Sequence, residues 1–120
     1  MTLLDTNAIL RYLLADLPEQ TELVANVIKN GAFTIPEVVA EVVYVFYKLY
    51  NVPRKEISGI VAPIFDEIEI EHKGVIKKAL ELYSSSSLDF VDCIICYRNK
   101  LLNEKIFSFD KKLNNKLKSL

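Results

Sequence analysis

Short continuous apolar runs alternate along this chain with longer stretches of apolar residues at helical spacing, and that rhythm predicts its elements. TLLD (2–5) reads as a short buried strand. ILRYLL continues as a helix and ends near Asp16-Leu17-Pro18, because the residue before a proline is pushed out of the helical region. Pro18 opens a second helix, PEQTELVANVIKN, with Glu19 and Glu22 early in it and Gly31 just past its end. AFTI (32–35) is a second strand. Pro36 starts a long helix to about Tyr50, with Val38, Val42, Val45 and Leu49 at helical spacing.

Asn51-Val52-Pro53 turns the chain, and Pro53 begins another helix, bent or ended near Pro63. EIEI (67–70) alternates acid and isoleucine, as an edge strand with one wet face does. A helix from about Lys73 to Tyr83 follows, with the serines 84–87 as a loop. LDFVDCIICYRNKLL is the next helix, IFSF (106–109) a strand and DKKLNNKLKSL a polar helix. Strands alternating with helices predict an α/β fold, with a mainly parallel sheet and helices on both faces. No internal repeat or second domain interrupts it, so residues 1–120 form a single domain.

Composition narrows the class. With 51% hydrophobic and 26% charged residues the chain has the make-up of a soluble globular domain. MTLLD carries no basic stretch ahead of its apolar run, which is unlike a secretory signal. The most apolar region, VVAEVVYVFYKLY, is broken by Glu41 and Lys48 and is too short to span a bilayer. The expected location is therefore cytoplasmic, with no membrane partner. A net charge of −1 and a pI near 5.8 give no bulk electrostatic reason to suspect nucleic acid, although a local basic patch is compatible with both. Cys93 and Cys96 form a C-x-x-C without a second pair, and the single histidine, His72, is remote in sequence. They read as two small core residues.

The acids change the picture. Asp5 follows the first strand, Asp110 follows IFSF, and Asp92 lies in the first turn of the helix that starts near Asp89. Each has a plain structural reading as a helix cap or a partner of the helix dipole. Glu41 lies in the row Glu37, Glu41, Tyr44, Lys48, which reads as a solvated helix face. Taken together, however, all four acids point to the carboxyl edge of one parallel sheet, where ligands of such folds bind. Carboxylates crowded there repel one another and raise one another's pKa. A hard divalent cation with oxygen ligands, Mg²⁺ or Mn²⁺, relieves that repulsion and equips a site for phosphodiester hydrolysis.

At this point the segments LLDTNAILRYL, DLPEQ, TIPEVVAEVVYVFYKLYNVPRKEI, ALELYSSSSLDFVDCIICY and IFSFDKKL resemble the PIN-domain family, in order and over nearly the whole chain. Within it they most resemble toxin ribonucleases of the VapC type. The resemblance implies a catalytic and metal-binding quartet of Asp5, Glu41, Asp92 and Asp110. Thr6, Asn7 and Ser108 would brace the carboxylates, and Asp89 would cap the helix or support the quartet from behind. It further implies a Mg²⁺- or Mn²⁺-dependent endoribonuclease, a cognate antitoxin protein, a homodimer, and a three-layer α/β/α sandwich with a four-stranded sheet in the order 3-2-1-4. Many relatives carry a further short strand after the last helix; here KLKSL follows, so that edge strand is expected to be missing or degenerate.

Rival readings fare worse on the residues. A haloacid-dehalogenase-like phosphatase needs a second Asp where Asn7 stands, and a response-regulator receiver needs a phospho-acceptor Asp that EIEIEHK does not offer. A PIN-like module that binds RNA or protein without cleaving is the non-enzymatic alternative. For the RNA backbone the candidates are Arg11, Arg54, Lys55 and Arg98, with Lys73 and Lys100 beside them, although residues of this kind are more often plain surface charge. Tyr12, Tyr44, Tyr47 and Tyr50, with Phe46, make the first and third helices rich in aromatics. Part of that set belongs to the core, and the surplus suits an antitoxin groove or a dimer contact.

Overall fold

A computed structural model describes residues 1–120. Two short parallel strands, β1 (Thr2–Leu3) and β2 (Ala32–Thr34), pair in the register Thr2 to Ala32 and Leu3 to Phe33. β3 (Glu69–Ile70) joins the other side of β2, also in parallel, so the sheet runs β1-β2-β3. Thr34 is wholly buried, and its hydroxyl donates to the Leu4 carbonyl at 2.9 Å, which locks β2 to the chain leaving β1. Gly31 has φ +100°, a left-handed turn into β2 that a side chain would strain.

The strands alternate with helices: α1 (Thr6–Leu14), α2 (Pro18–Lys29), α3 (Pro36–Lys48), α4 (Arg54–Val61), α5 (Ile64–Glu67), α6 (Lys73–Ser85), α7 (Phe90–Leu102) and α8 (Lys111–Ser119). Prolines begin α2 and α3, where their missing N–H is no loss. The segment after Pro53 breaks into α4 and α5 around Pro63. α6 packs along α7 and α4, and α3 touches α1, α4 and α7. The core is one cluster of 24 buried residues, and it includes both free cysteines, Cys93 and Cys96. Burial pushes the Cys93 thiol up to about 12, so it stays protonated and inert at neutral pH. No helix is long and apolar enough to cross a membrane.

The chain departs from the sequence expectation in several places. β1, expected as a buried strand, has both of its residues exposed, only the following Leu4 entering the core. Ser84 and Ser85, expected in a loop, extend α6 by half a turn. The fourth strand is not formed: residues 103–110 lie in neither helix nor strand, and Phe107 and Phe109 are 85% and 90% exposed. Side chains supply the partners that a strand neighbour would otherwise have supplied. Asn99 donates to the Glu104 carbonyl at 2.8 Å, and Asn114 donates to the Ser108 carbonyl at 2.9 Å. The expected four-stranded 3-2-1-4 sheet is thus a three-stranded one. EIEI contributes only Glu69 and Ile70 to β3, because Glu67 is still helical. On α3 the buried stripe is Val39, Val42, Val43 and Phe46 rather than Val38, Val42, Val45 and Leu49. Phe46 puts its ring into the core on that stripe, and Leu49 lies past the last turn, exposed.

Candidate active site

β1 and β2 are parallel, so the residues after each strand emerge at the same sheet edge. Asp5, two residues beyond β1, caps α1: its Oδ1 accepts from the Ala8 N–H at 2.9 Å, while Oδ2 has no partner in the protein. Thr6, the first residue of α1, donates its hydroxyl to Oε2 of Glu41 at 2.8 Å. Glu41 stands in the second turn of α3, which starts directly after β2, and leans back toward that edge. Glu37, Tyr44 and Lys48 share its exposed face.

A second group forms around α7. Asp89 occupies its N-cap position without a side-chain cap bond, and Asp92 lies in its first turn, half-buried. Burial raises the Asp92 pKa most, the negative charges of Asp110 and Asp89 raise it further, and the Lys112 ammonium opposes them. Asp110 repeats the pattern of Asp5: it caps α8, its Oδ1 accepting from the Leu113 N–H at 2.9 Å. Ser108 Oγ accepts from the Asp110 N–H at 2.9 Å and holds the approach to α8. Asn7 is exposed and its side chain braces no carboxylate.

The acids therefore stand as two groups, Asp5 at the start of α1 with Glu41 on α3, and Asp92 and Asp89 at the start of α7 with Asp110 at the start of α8; α3 and α7 touch. No cluster of three or more Asp, Glu, His or Cys side chains is close enough in this structure to hold a metal ion. The donor chemistry nevertheless fits a hard divalent cation. Every candidate ligand atom is a carboxylate oxygen, and the caps at Asp5 and Asp110 engage only Oδ1.

The raised pKa of Asp92 has a measurable consequence. A carboxyl whose folded pKa lies above its unfolded value contributes stability below about pH 3.9, and that contribution is lost as pH rises through the folded pKa. At neutral pH the Asp92 charge thus works against the metal-free fold. Asp92→Asn is expected to melt at a higher temperature than the parent at pH 7 in EDTA, with the difference vanishing by about pH 3. A gap that persists unchanged at acid pH would assign the effect to something other than the charge.

Most of the sequence-predicted RNA-binding cations are occupied internally. Arg11 pairs with Asp16 at 3.2 Å, and Arg98 grips Glu104 through two bonds of 2.6 and 2.7 Å. Arg54 donates to the carbonyls of Tyr83 and Leu88, and Lys73 donates to the Phe65 carbonyl at 2.7 Å. Lys55 and Lys100 are exposed and free. The cation that does face the acids, Lys112, was missed in the sequence. Its signal was the row Lys112, Asn115, Lys116, Ser119 on one face of α8. Tyr44, Tyr47 and Tyr50 are exposed as expected. Tyr44 and Tyr47 open onto a cavity of about 530 Å³ between α3 and α7, shared with Arg54, Tyr83 and Asp89.

An α/β domain with acids at the carboxyl edge of a parallel sheet is a defined class, and comparison with known proteins names it. The PIN domain family profile matches residues 2–117, so the chain belongs to the PIN domain family. A curated relative, the VapC ribonuclease of Aquifex aeolicus (strain VF5), is 28% identical over 93% of this chain and 89% of its own length. No solved structure matches the chain at a comparable level of significance.

Proposed function

We propose that this protein is a divalent-metal-dependent endoribonuclease, the toxin of a toxin–antitoxin pair, acting in the cytoplasm. The observation that carries the reading is the 2.8 Å bond from Thr6 to Glu41, which ties the loop after β1 to the helix after β2. Together with the parallel pairing of β1 and β2, it supports a shared sheet edge for Asp5 and Glu41, which are 36 positions apart in the chain. The similarity to a VapC ribonuclease supports RNA as the substrate.

In this reading Asp5, Glu41, Asp92 and Asp110 would hold Mg²⁺ or Mn²⁺ once drawn together. The ion would polarise the scissile phosphodiester and lower the pKa of the attacking water. The protein's own contribution is orientation. Thr6 fixes one Glu41 oxygen, the α1 and α8 caps fix one oxygen each of Asp5 and Asp110, and Ser108 steadies the Asp110 backbone. A homodimer and an antitoxin segment would use the exposed tyrosines of α3, where aromatic surface is otherwise unexplained. An antitoxin cation placed among the acids would compete directly with the metal.

The test is cleavage of a mixed-sequence RNA oligonucleotide by the full chain in Mg²⁺, in Mn²⁺ and in EDTA. Cleavage with either ion and none in EDTA is expected. RNA binding without cleavage under all three conditions would replace the nuclease with a non-catalytic PIN-like binding module.

A further inference from the structure

The chain as a whole carries a net charge of −1, but α8, KKLNNKLKS, holds four lysines and no acid. Its apolar stripe, Leu113 and Leu117, packs on the core. Lys112, Asn115, Lys116 and Ser119, spaced i, i+3, i+4 and i+7, form another face. That face and the loop Ser86–Leu88 enclose a cavity of about 310 Å³ lined by seven residues, of which only Leu88 is apolar.

The lining is rich in donors and contains no carboxylate. Lys112 Nζ donates to the Ser87 carbonyl at 2.8 Å, which holds the loop and leaves two N–H groups of the ammonium free. Lys116 has no acidic partner, since the three ion pairs of the structure lie elsewhere. Two ammonium groups, two loop hydroxyls and an amide around one hollow match a phosphate oxygen shell and repel a cation. The position is equally specific. Lys112 is two residues from Asp110, and Ser86–Leu88 run directly into Asp89 and the start of α7. Along α8 the rise per residue places Lys112 about 3 Å and Lys116 about 9 Å beyond Asp110.

We infer that this cavity is a backbone-phosphate subsite, in which Lys112 and Lys116 hold an RNA phosphodiester adjacent to the one placed at the acids. The inference rests on the nuclease reading for its ligand but not for its test. The match is to phosphate rather than to a base, because no aromatic ring lines the cavity. It therefore adds affinity without sequence preference.

Binding of a fluorescent single-stranded RNA to Asp5→Asn protein in Mg²⁺ is measured by anisotropy from 50 to 300 mM KCl. Adding Lys112→Gln and Lys116→Gln is expected to flatten the slope of log Kd against log salt by about 1.4, and Lys116→Gln alone by about 0.7. Lys116 makes no side-chain bond in the structure, so the single variant keeps the test valid if the double variant loosens the loop. Lys29→Gln, on the helix leading into β2 and so at the opposite sheet edge, serves as the control that leaves the slope in place. Unchanged slopes in a protein whose parent cleaves RNA with metal would overturn the subsite and leave the nuclease standing. Reduced slopes in a protein that never cleaves would keep the subsite and remove the nuclease. Loss of poly-glutamate binding with RNA binding intact would overturn the subsite in favour of an acidic protein partner.

Discussion

Asp5→Asn is expected to abolish metal-dependent RNA cleavage while leaving the melting temperature of the metal-free protein unchanged or slightly raised. The Asp5 cap works through Oδ1, which accepts from the Ala8 N–H at 2.9 Å. Asn presents a carbonyl oxygen in the same place and caps about as well as Asp. What disappears is the negative charge, together with an anionic donor for the metal. Loss of several kcal/mol of metal-assisted stabilisation, at about 1.4 kcal/mol per decade, corresponds to a fall of roughly 100-fold or more in rate. Asp5→Ala separates the two roles, because it removes the cap as well, at about 1 kcal/mol and a few degrees of melting temperature. Metal-stimulated cleavage retained by Asp5→Asn would return Asp5 to the role of cap alone.

The same position shows why sequence could raise the question without settling it. A carboxylate after a strand and before a helix is both the best cap and the best-placed metal ligand, and here one oxygen serves the cap while the other stays free. Periodicity found the helices because their buried stripes recur every three to four residues, and prolines marked their starts at Pro18, Pro36 and Pro53. β1 and β2 were legible as apolar runs. IFSF carries the same apolar pattern, but strand formation depends on a neighbour's backbone. In this chain Asn99 satisfies the Glu104 carbonyl ahead of it and Asn114 the Ser108 carbonyl within it instead. Local pattern carries no information about such side-chain substitutes.

Charge was harder to read for a related reason. A sequence shows which residues are cationic but not which are already neutralised. Arg98 looked available until Glu104, six positions on, was seen to clamp it. Nothing in the polar sequence of α8 distinguishes Lys112 from its neighbouring lysines, yet the fold sets it beside Asp92 and Ser87. The positions of the acids were legible because strand ends and helix starts are local features. Their shared edge was legible from the βα order as well, but the individual contacts were not, because the bond from Thr6 to Glu41 spans 35 residues.

Arg54 illustrates the difference between a cation that binds and a cation that builds. Its guanidinium lies 3.7 Å from the centroid of the Tyr83 ring, and it donates to the Tyr83 carbonyl at 3.1 Å and to the Leu88 carbonyl. It thereby joins the start of α4, the end of α6 and the loop that leads into α7. Charge-assisted bonds contribute about 1.5–3 kcal/mol each, and a stacked cation about 0.5–2, before discounting for partial exposure and repair by water. Arg54→Ala is therefore expected to lower stability by roughly 2–4 kcal/mol and the melting temperature by about 10 °C. Arg54→Lys should recover little, since one ammonium cannot stack flat on a ring while reaching two carbonyls. Amide exchange should quicken first at residues 86–92, the stretch that Arg54 anchors and that carries Asp89 and Asp92. A variant that melts within about 2 °C of the parent yet binds RNA more weakly would make Arg54 a phosphate contact after all. The three groups it already holds argue for the fold.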